Sequence, residues 1–164
     1  MHIFSEFIHS LDLIQKNSPD IYNKIIFDFY GSVPQNFNKI ISNHKNIIKY
    51  HGFVSLFEAN IAIGNSSATL LFLTDDMTYS FSTKFYEYLA QKKPILLFSK
   101  KGQAGKFISE NKLGFSIEYG NTYNHFISAL YKIENGFEIN KDFDISVFDV
   151  ENLTKKYIQI ITNA

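Results

Sequence analysis

A chain of 164 residues, 45% apolar and 20% charged, has the size and make-up of one globular domain and excludes a disordered or low-complexity segment. Sixteen basic against sixteen acidic residues leave no net charge, so no field of one sign draws the chain to nucleic acid or to an anionic membrane. The absence of cysteine removes disulfides, thiolate nucleophiles and cysteine-ligated metals.

In chain order, His2 to Lys16 sets Ile3, Phe4, Phe7, Ile8, Leu11 and Ile14 at helical spacing. No basic region precedes an apolar core there, so the segment reads as a helix and not as a signal peptide. Asn17-Ser18-Pro19 is the predicted stop. Lys24 to Gly31 (KIIFDFYG) predicts a strand, Asn36 to Ser42 a short helix, and Asn46 to His51 a second strand closed by Gly52. Ser55 to Ile63 predicts a helix stopped by Gly64-Asn65-Ser66. Ala68 to Thr74 (ATLLFLT) is almost continuously apolar, as a strand buried on both faces requires. A helix over Ser82–Gln91, a buried strand over Pro94–Ser99 and a helix over Gln103–Asn111 follow, with Gly114 just past its end. Phe115–Tyr119 predicts a strand and Thr122–Ile133 a helix. A polar stretch with Asp142, Asp144 and Asp149 leads to a predicted terminal helix, Val150–Thr162.

Strands separated by helices of about ten residues imply parallel βαβ units in a Rossmann-like, doubly wound α/β/α domain spanning residues 1–164. The longest apolar runs, Ala68–Leu73 and Pro94–Phe98, are too short to cross a bilayer, and a cytoplasmic location is the expectation. Ligands of such sheets bind outside the carboxyl ends of the strands, which directs attention to the residues after each strand.

The segment from Ser80 to Pro94, SFSTKFYEYLAQKKP, starts a helix just after a buried strand. Ser82 or Thr83 can cap that helix, and its unpaired N–H groups offer an anion site. Lys84 opposes the helix dipole in the first turn, at a cost of about 0.3–1 kcal/mol. A bound diphosphate would turn that cost into a charge-assisted contact worth about 1.5–3 kcal/mol. Glu87 lies one turn on, on the same face, where it can accept hydrogen bonds from two ribose hydroxyls. The plain alternative is a surface Lys84–Glu87 pair at i, i+3.

The run Ser82-Thr83-Lys84-Phe85-Tyr86-Glu87-Tyr88-Leu89-Ala90, followed by Lys93-Pro94-Ile95, resembles the S-K-x-x-E-Y-x-A-x-G-K-P-I signature of group 1 (family 4-like) glycosyltransferases. Ile47-Ile48-Lys49-Tyr50-His51-Gly52-Phe53-Val54 is similar to that family's I-x-x-x-G-x-V strand and turn. Gly102, Lys106-Phe107-Ile108 and Leu113-Gly114-Phe115 are similar to its G-x-x-x-x-I…x-x-G segment. The resemblance covers about residues 20–135. It implies the C-terminal half of a GT-B fold, holding a nucleotide-diphosphate-sugar donor, with no cofactor and no metal. It further implies that the Gly52 turn brings the backbone of Phe53 and Val54 to the base edge. Ser82 and Thr83 would hold the diphosphate, Lys84 would supplement its charge, and Glu87 would bind the ribose. Lys101 and Gly102 would border the cleft.

The implied parent is a retaining hexosyltransferase that acts on a glycan or lipid-linked acceptor in bacterial cell-surface polysaccharide assembly, peripheral at the inner face of the membrane. The acceptor-binding N-terminal domain lies outside this sequence, so the isolated chain is expected to be inactive. Two departures stand out. Tyr79 occupies the position where many members carry a second Glu that contacts the sugar. The chain also has no Arg and is expected to begin after the domain's first strand, whose loop usually supplies basic residues.

Other motifs point elsewhere. The loop from Lys100 to Lys106 lacks the Gly-Lys-Ser/Thr of a P-loop. Asp142-Phe143-Asp144 matches Asp-x-Asp in letters but falls in a late polar connection. Asp75-Asp76 reads as turn chemistry. None of the five histidines has metal-ligand spacing, although His51 ends a strand and can reach the cleft. The rival reading is a non-catalytic Rossmann-like partner or scaffold module.

Overall fold

The computed structural model describes residues 3–33, 35, 37–74, 81–149, 151, 152 and 154. Helical spacing in the first segment produces α1 (Ile3–Asn17), which buries Ile3, Phe7, Leu11 and Ile14 along one face. The helix stops at Asn17, where Asn17-Ser18-Pro19 was the expected stop, and a second helix also opens at Pro19. α2 (Pro19–Tyr22) begins on it, because proline's fixed φ suits the first helical position and its missing N–H costs nothing there. The next elements are β1 (Phe27–Phe29), α3 (Phe37–Ile40), a 3-10 turn (Ser42–His44) and β2 (Ile48–Tyr50). Both strands are shorter than the apolar runs suggest.

α4 (Leu56–Asn65) starts at a capping box in which Ser55 and Glu58 each bond the other's backbone amide. Gly64 and Asn65, expected as a stop, are still helical, and the chain leaves the helix at Ser66. There follow β3 (Thr69–Phe72), α5 (Thr83–Ala90), β4 (Ile95–Ser99), α6 (Gln103–Glu110), β5 (Gly114–Glu118) and α7 (Thr122–Glu134). Gly114 therefore opens a strand and does not simply follow a helix. Its φ is 151° and an added Cβ would run into the Ile95 backbone, so only glycine lets β5 lie this close to β4. A 3-10 turn (Ile145–Phe148) follows, with Asp144 accepting from the Ser146 amide at 2.9 Å. Most of the terminal helix expected over Val150–Thr162 lies outside the described residues.

The fold is α/β with parallel sheets, a small Rossmann-like domain. One sheet pairs β1 with β2 and the other runs β3-β4-β5, all parallel. Among the described residues no ladder joins β1 to β3, so the expected open sheet is divided in two. A single hydrophobic core nonetheless covers one face of both parts. It unites Phe7, Leu11 and Ile14 of α1, Phe27 of β1, Phe37 of α3, Ile48 of β2, Phe98 of β4 and Phe126 of α7. On the opposite face Phe85 and Leu89 of α5 and Ala104 and Ile108 of α6 pack on Leu71, Ile95 and Leu97. All five residues of β4 are buried, as a central strand covered on both faces should be.

Candidate functional site at the carboxyl edge

Parallel pairing sends the carboxyl ends of β1 and β2 to one edge of their sheet and those of β3, β4 and β5 to one edge of theirs. Three of the expected segments leave from those ends: Gly52–Val54 after β2, Ser82–Glu87 after β3, and Lys101–Gly102 after β4.

At the start of α5, Ser82 is the N-cap in extended conformation, and its side chain bonds no helix amide. The Ser82 Oγ is buried and has no hydrogen-bond partner among the described residues. Phe81 stacks on Phe85 at 4.1 Å, a hydrophobic clamp that fixes the angle at which the chain enters the helix. The first turn thus presents amide donors without a side-chain cap, the local geometry that favours an anion. Thr83 and Lys84 are exposed on this turn. Lys84 Nζ meets Glu87 Oε2 at 2.8 Å, so the i, i+3 pair is made, between a half-exposed lysine and a carboxylate about one-third exposed.

The turn after β2 is built by Gly52, whose φ of 70° belongs to the left-handed region. Its carbonyl accepts from the Gly31 amide at 2.7 Å, which ties the exits of β1 and β2 together. Phe53 is 82% exposed and Val54 half-buried immediately before the α4 cap. After β4, Gly102 is the N-cap of α6 and supplies no side-chain cap, with exposed Lys101 beside it. The hydroxyl of Ser99, the last residue of β4, is also buried without a partner among the described residues. Lys84 and Glu87 are brought together, whereas no hydrogen bond or ion pair among the described residues links the three segments to one another.

A cluster at the ends of β1 and β2 went largely unforeseen. His51 Nε2 lies 2.6 Å from Asp28 Oδ1, and the Tyr30 ring stacks on the imidazole at 4.6 Å and 13°. Tyr50 donates its hydroxyl to the Gly31 carbonyl at 2.7 Å. Burial, and then the Asp28 charge, raise the Tyr30 hydroxyl above its ordinary pKa. The available signal was Asp28 itself, a lone carboxylate within the apolar run KIIFDFYG.

Asp75, Asp76 and Tyr79 lie outside the described residues. Asp142 and Asp144 serve local turns: the Asp142 amide donates to Asn140 Oδ1 at 3.1 Å, and Asp144 caps the following 3-10 turn. No three His, Asp or Glu side chains gather as a metal would need among the described residues. A cavity of about 340 Å³ opens at the outer edge of β5, lined by Lys112, Ser116, His125, Lys132 and Phe137 among others, and includes none of the expected donor residues. Comparison with family models, with curated proteins and with solved structures gives no match for this chain.

Proposed function

We propose that the chain is the nucleotide-diphosphate-sugar-binding domain of a retaining glycosyltransferase whose other half holds a glycan or lipid-linked acceptor. The observation that carries this reading is the open start of α5, where the Ser82 hydroxyl and the first-turn amides lack a side-chain partnership. A diphosphate seated there accepts from those donors and neutralises the dipole conflict of Lys84. The Lys84–Glu87 pair is then the resting arrangement. On binding, the ammonium turns to phosphate and releases the carboxylate for the ribose hydroxyls. This half of the enzyme contributes binding and leaving-group stabilisation, since fixed N–H dipoles and positive charge offset the charge that develops as the glycosidic bond breaks.

A second reading, a non-catalytic partner or scaffold module, is favoured by the Lys84–Glu87 pair itself, because at 2.8 Å each charge is already satisfied without a ligand. Ligand-observed NMR with UDP, GDP, ADP and CMP separates the two. A dissociation constant near about 1 mM needs only about 4 kcal/mol, within reach of a few charge-assisted contacts. The donor reading expects one nucleotide to bind the wild type and to be released by Glu87→Ala. Equal binding to both proteins removes Glu87 from the site, and no binding by any of the four supports the scaffold.

A further inference from the structure

The cavity beside β5 lies along a sheet edge that no strand occupies among the described residues. The Ile95 amide donates to the Leu113 carbonyl at 3.0 Å, and the Tyr119 amide donates to the Ser99 carbonyl at 3.3 Å. The odd residues of β5 therefore turn their main-chain groups to β4, and alternation turns those of Gly114, Ser116 and Glu118 outward. A parallel neighbour bonds such an edge one residue at a time, giving its N–H to one carbonyl and its C=O to the amide two residues on. The Glu118 amide is already engaged, since it donates to His125 Nδ1 at 3.2 Å. One complete seat is left, from the Gly114 carbonyl to the Ser116 amide, and both residues line the cavity. Ser116 also carries a buried hydroxyl with no hydrogen-bond partner among the described residues.

The charge around this seat has one sign. Lys112 follows α6 on one face of the sheet, and Lys132 lies in the last turn of α7 on the other. No carboxylate lines the cavity, and neither lysine has an ion pair among the described residues. The carboxylates close to them in sequence are held by other lysines: Glu110 by Lys106, Glu134 by Lys24 and Glu138 by Lys141. Lys132 Nζ stands 5.7 Å from the centre of the Phe115 ring, which in turn meets Phe137 at 4.5 Å. A chain of zero net charge thus collects two uncompensated cations around one cavity.

Edge and charge select the same kind of ligand. An extended peptide adding to β5 needs the Glu118 amide, which His125 holds. A phosphate offers acceptors alone and meets the Gly114 and Ser116 carbonyls as repulsion. The seat asks for a donor and an acceptor on adjacent carbons, as the amine and carboxylate of one α-amino acid provide. The two lysines ask for a second negative group on the same molecule. A cavity of about 340 Å³ is of the size that takes a small molecule.

We propose that this cavity binds a free acidic α-amino acid, glutamate or aspartate, seated as a single residue of a parallel strand. Its ammonium donates to the Gly114 carbonyl, its α-carboxylate accepts from the Ser116 amide, and its side-chain carboxylate lies against Lys112 and Lys132. The site shares no residue with the start of α5, so the inference stands apart from the donor reading and from its nucleotide test.

The test titrates the isotope-labelled chain with L-glutamate and L-aspartate and follows the Ser116 amide by NMR. Glutarate, which lacks the amine, and L-glutamine, which lacks the second carboxylate, serve as comparisons. One of the two acids should shift Ser116 saturably below about 10 mM, and each comparison should bind about tenfold more weakly. Lys132→Gln and Lys112→Gly should each weaken the same titration by about tenfold. The φ of 55° at Lys112 suits glycine, so the second variant keeps its fold. No saturable shift at Ser116 with either acid overturns the proposal. Equal binding of glutarate overturns the amino-acid seat, and equal binding of glutamine overturns the part given to the lysines. A Ser116 amide already protected from exchange in the free chain also overturns it, because a segment of the chain then fills the seat. Should a lysine variant fail to fold, the four ligands on the wild type still decide.

Discussion

His44 is fully buried on the 3-10 turn before β2, with Nδ1 2.8 Å from the Tyr22 hydroxyl and Nε2 3.0 Å from Asp12 Oδ1. Both ring nitrogens are satisfied, which is what lets a polar ring occupy a core position. His44→Ala should cost about 2–4 kcal/mol, since it leaves a void and leaves the Tyr22 hydroxyl with only its longer bond to Asn46 Oδ1 at 3.4 Å, and denaturant unfolding measures it. An unchanged midpoint would deny this network a structural role. The sequence contains all three residues, yet nothing local marks them, because the partners lie 32 and 22 positions from His44. The His51–Asp28 pair was hidden in the same way, across 23 positions. The Lys84–Glu87 pair was legible because its spacing is itself the geometry. Of the candidate-site residues, then, the sequence could place each on its element, but not what each one touches across the fold.

At the scale of the element, α4 depends on its own cap, having no buried face. The Ser55 hydroxyl, and next the Ser55 amide, hold the Glu58 carboxyl below its ordinary value of 4.5. A lowered folded-state value means that the contribution is present above the ordinary value and is lost as pH falls through the lowered one. The Ser55 and Glu58 amide resonances should therefore move together on acidification from about pH 6 to about pH 3, and Glu58→Gln should abolish the step. A step that persists in the variant assigns it to another group. Helices with a strong apolar period, α5 to α7, were readable to within a residue or so at each end. α2 was not, because a proline opens a helix as readily as it closes one and only the tertiary path decides which.

Across the whole molecule, Phe7 touches Phe27 and Phe29 of the β1–β2 part and Phe72 and Phe98 of the β3–β5 part, and Phe4 and Phe126 bridge the two parts as well. Phe7→Ala should lower stability by about 3–5 kcal/mol. It should do so unequally: amides in β1 and β2 should lose exchange protection through a partial opening while those in β4 keep it. Equal loss in both parts would mean that the two sheets are coupled by something other than this ring.

The packing of α1 on α7 also sets a schedule for the growing chain. The part of α1 that meets α7 is covered only once a helix more than a hundred residues further along the chain has been made. At ordinary synthesis rates Phe7 waits on the order of ten seconds for Phe126. Contacts so distant in sequence slow folding, and during this wait the nascent chain exposes the surface that chaperones bind.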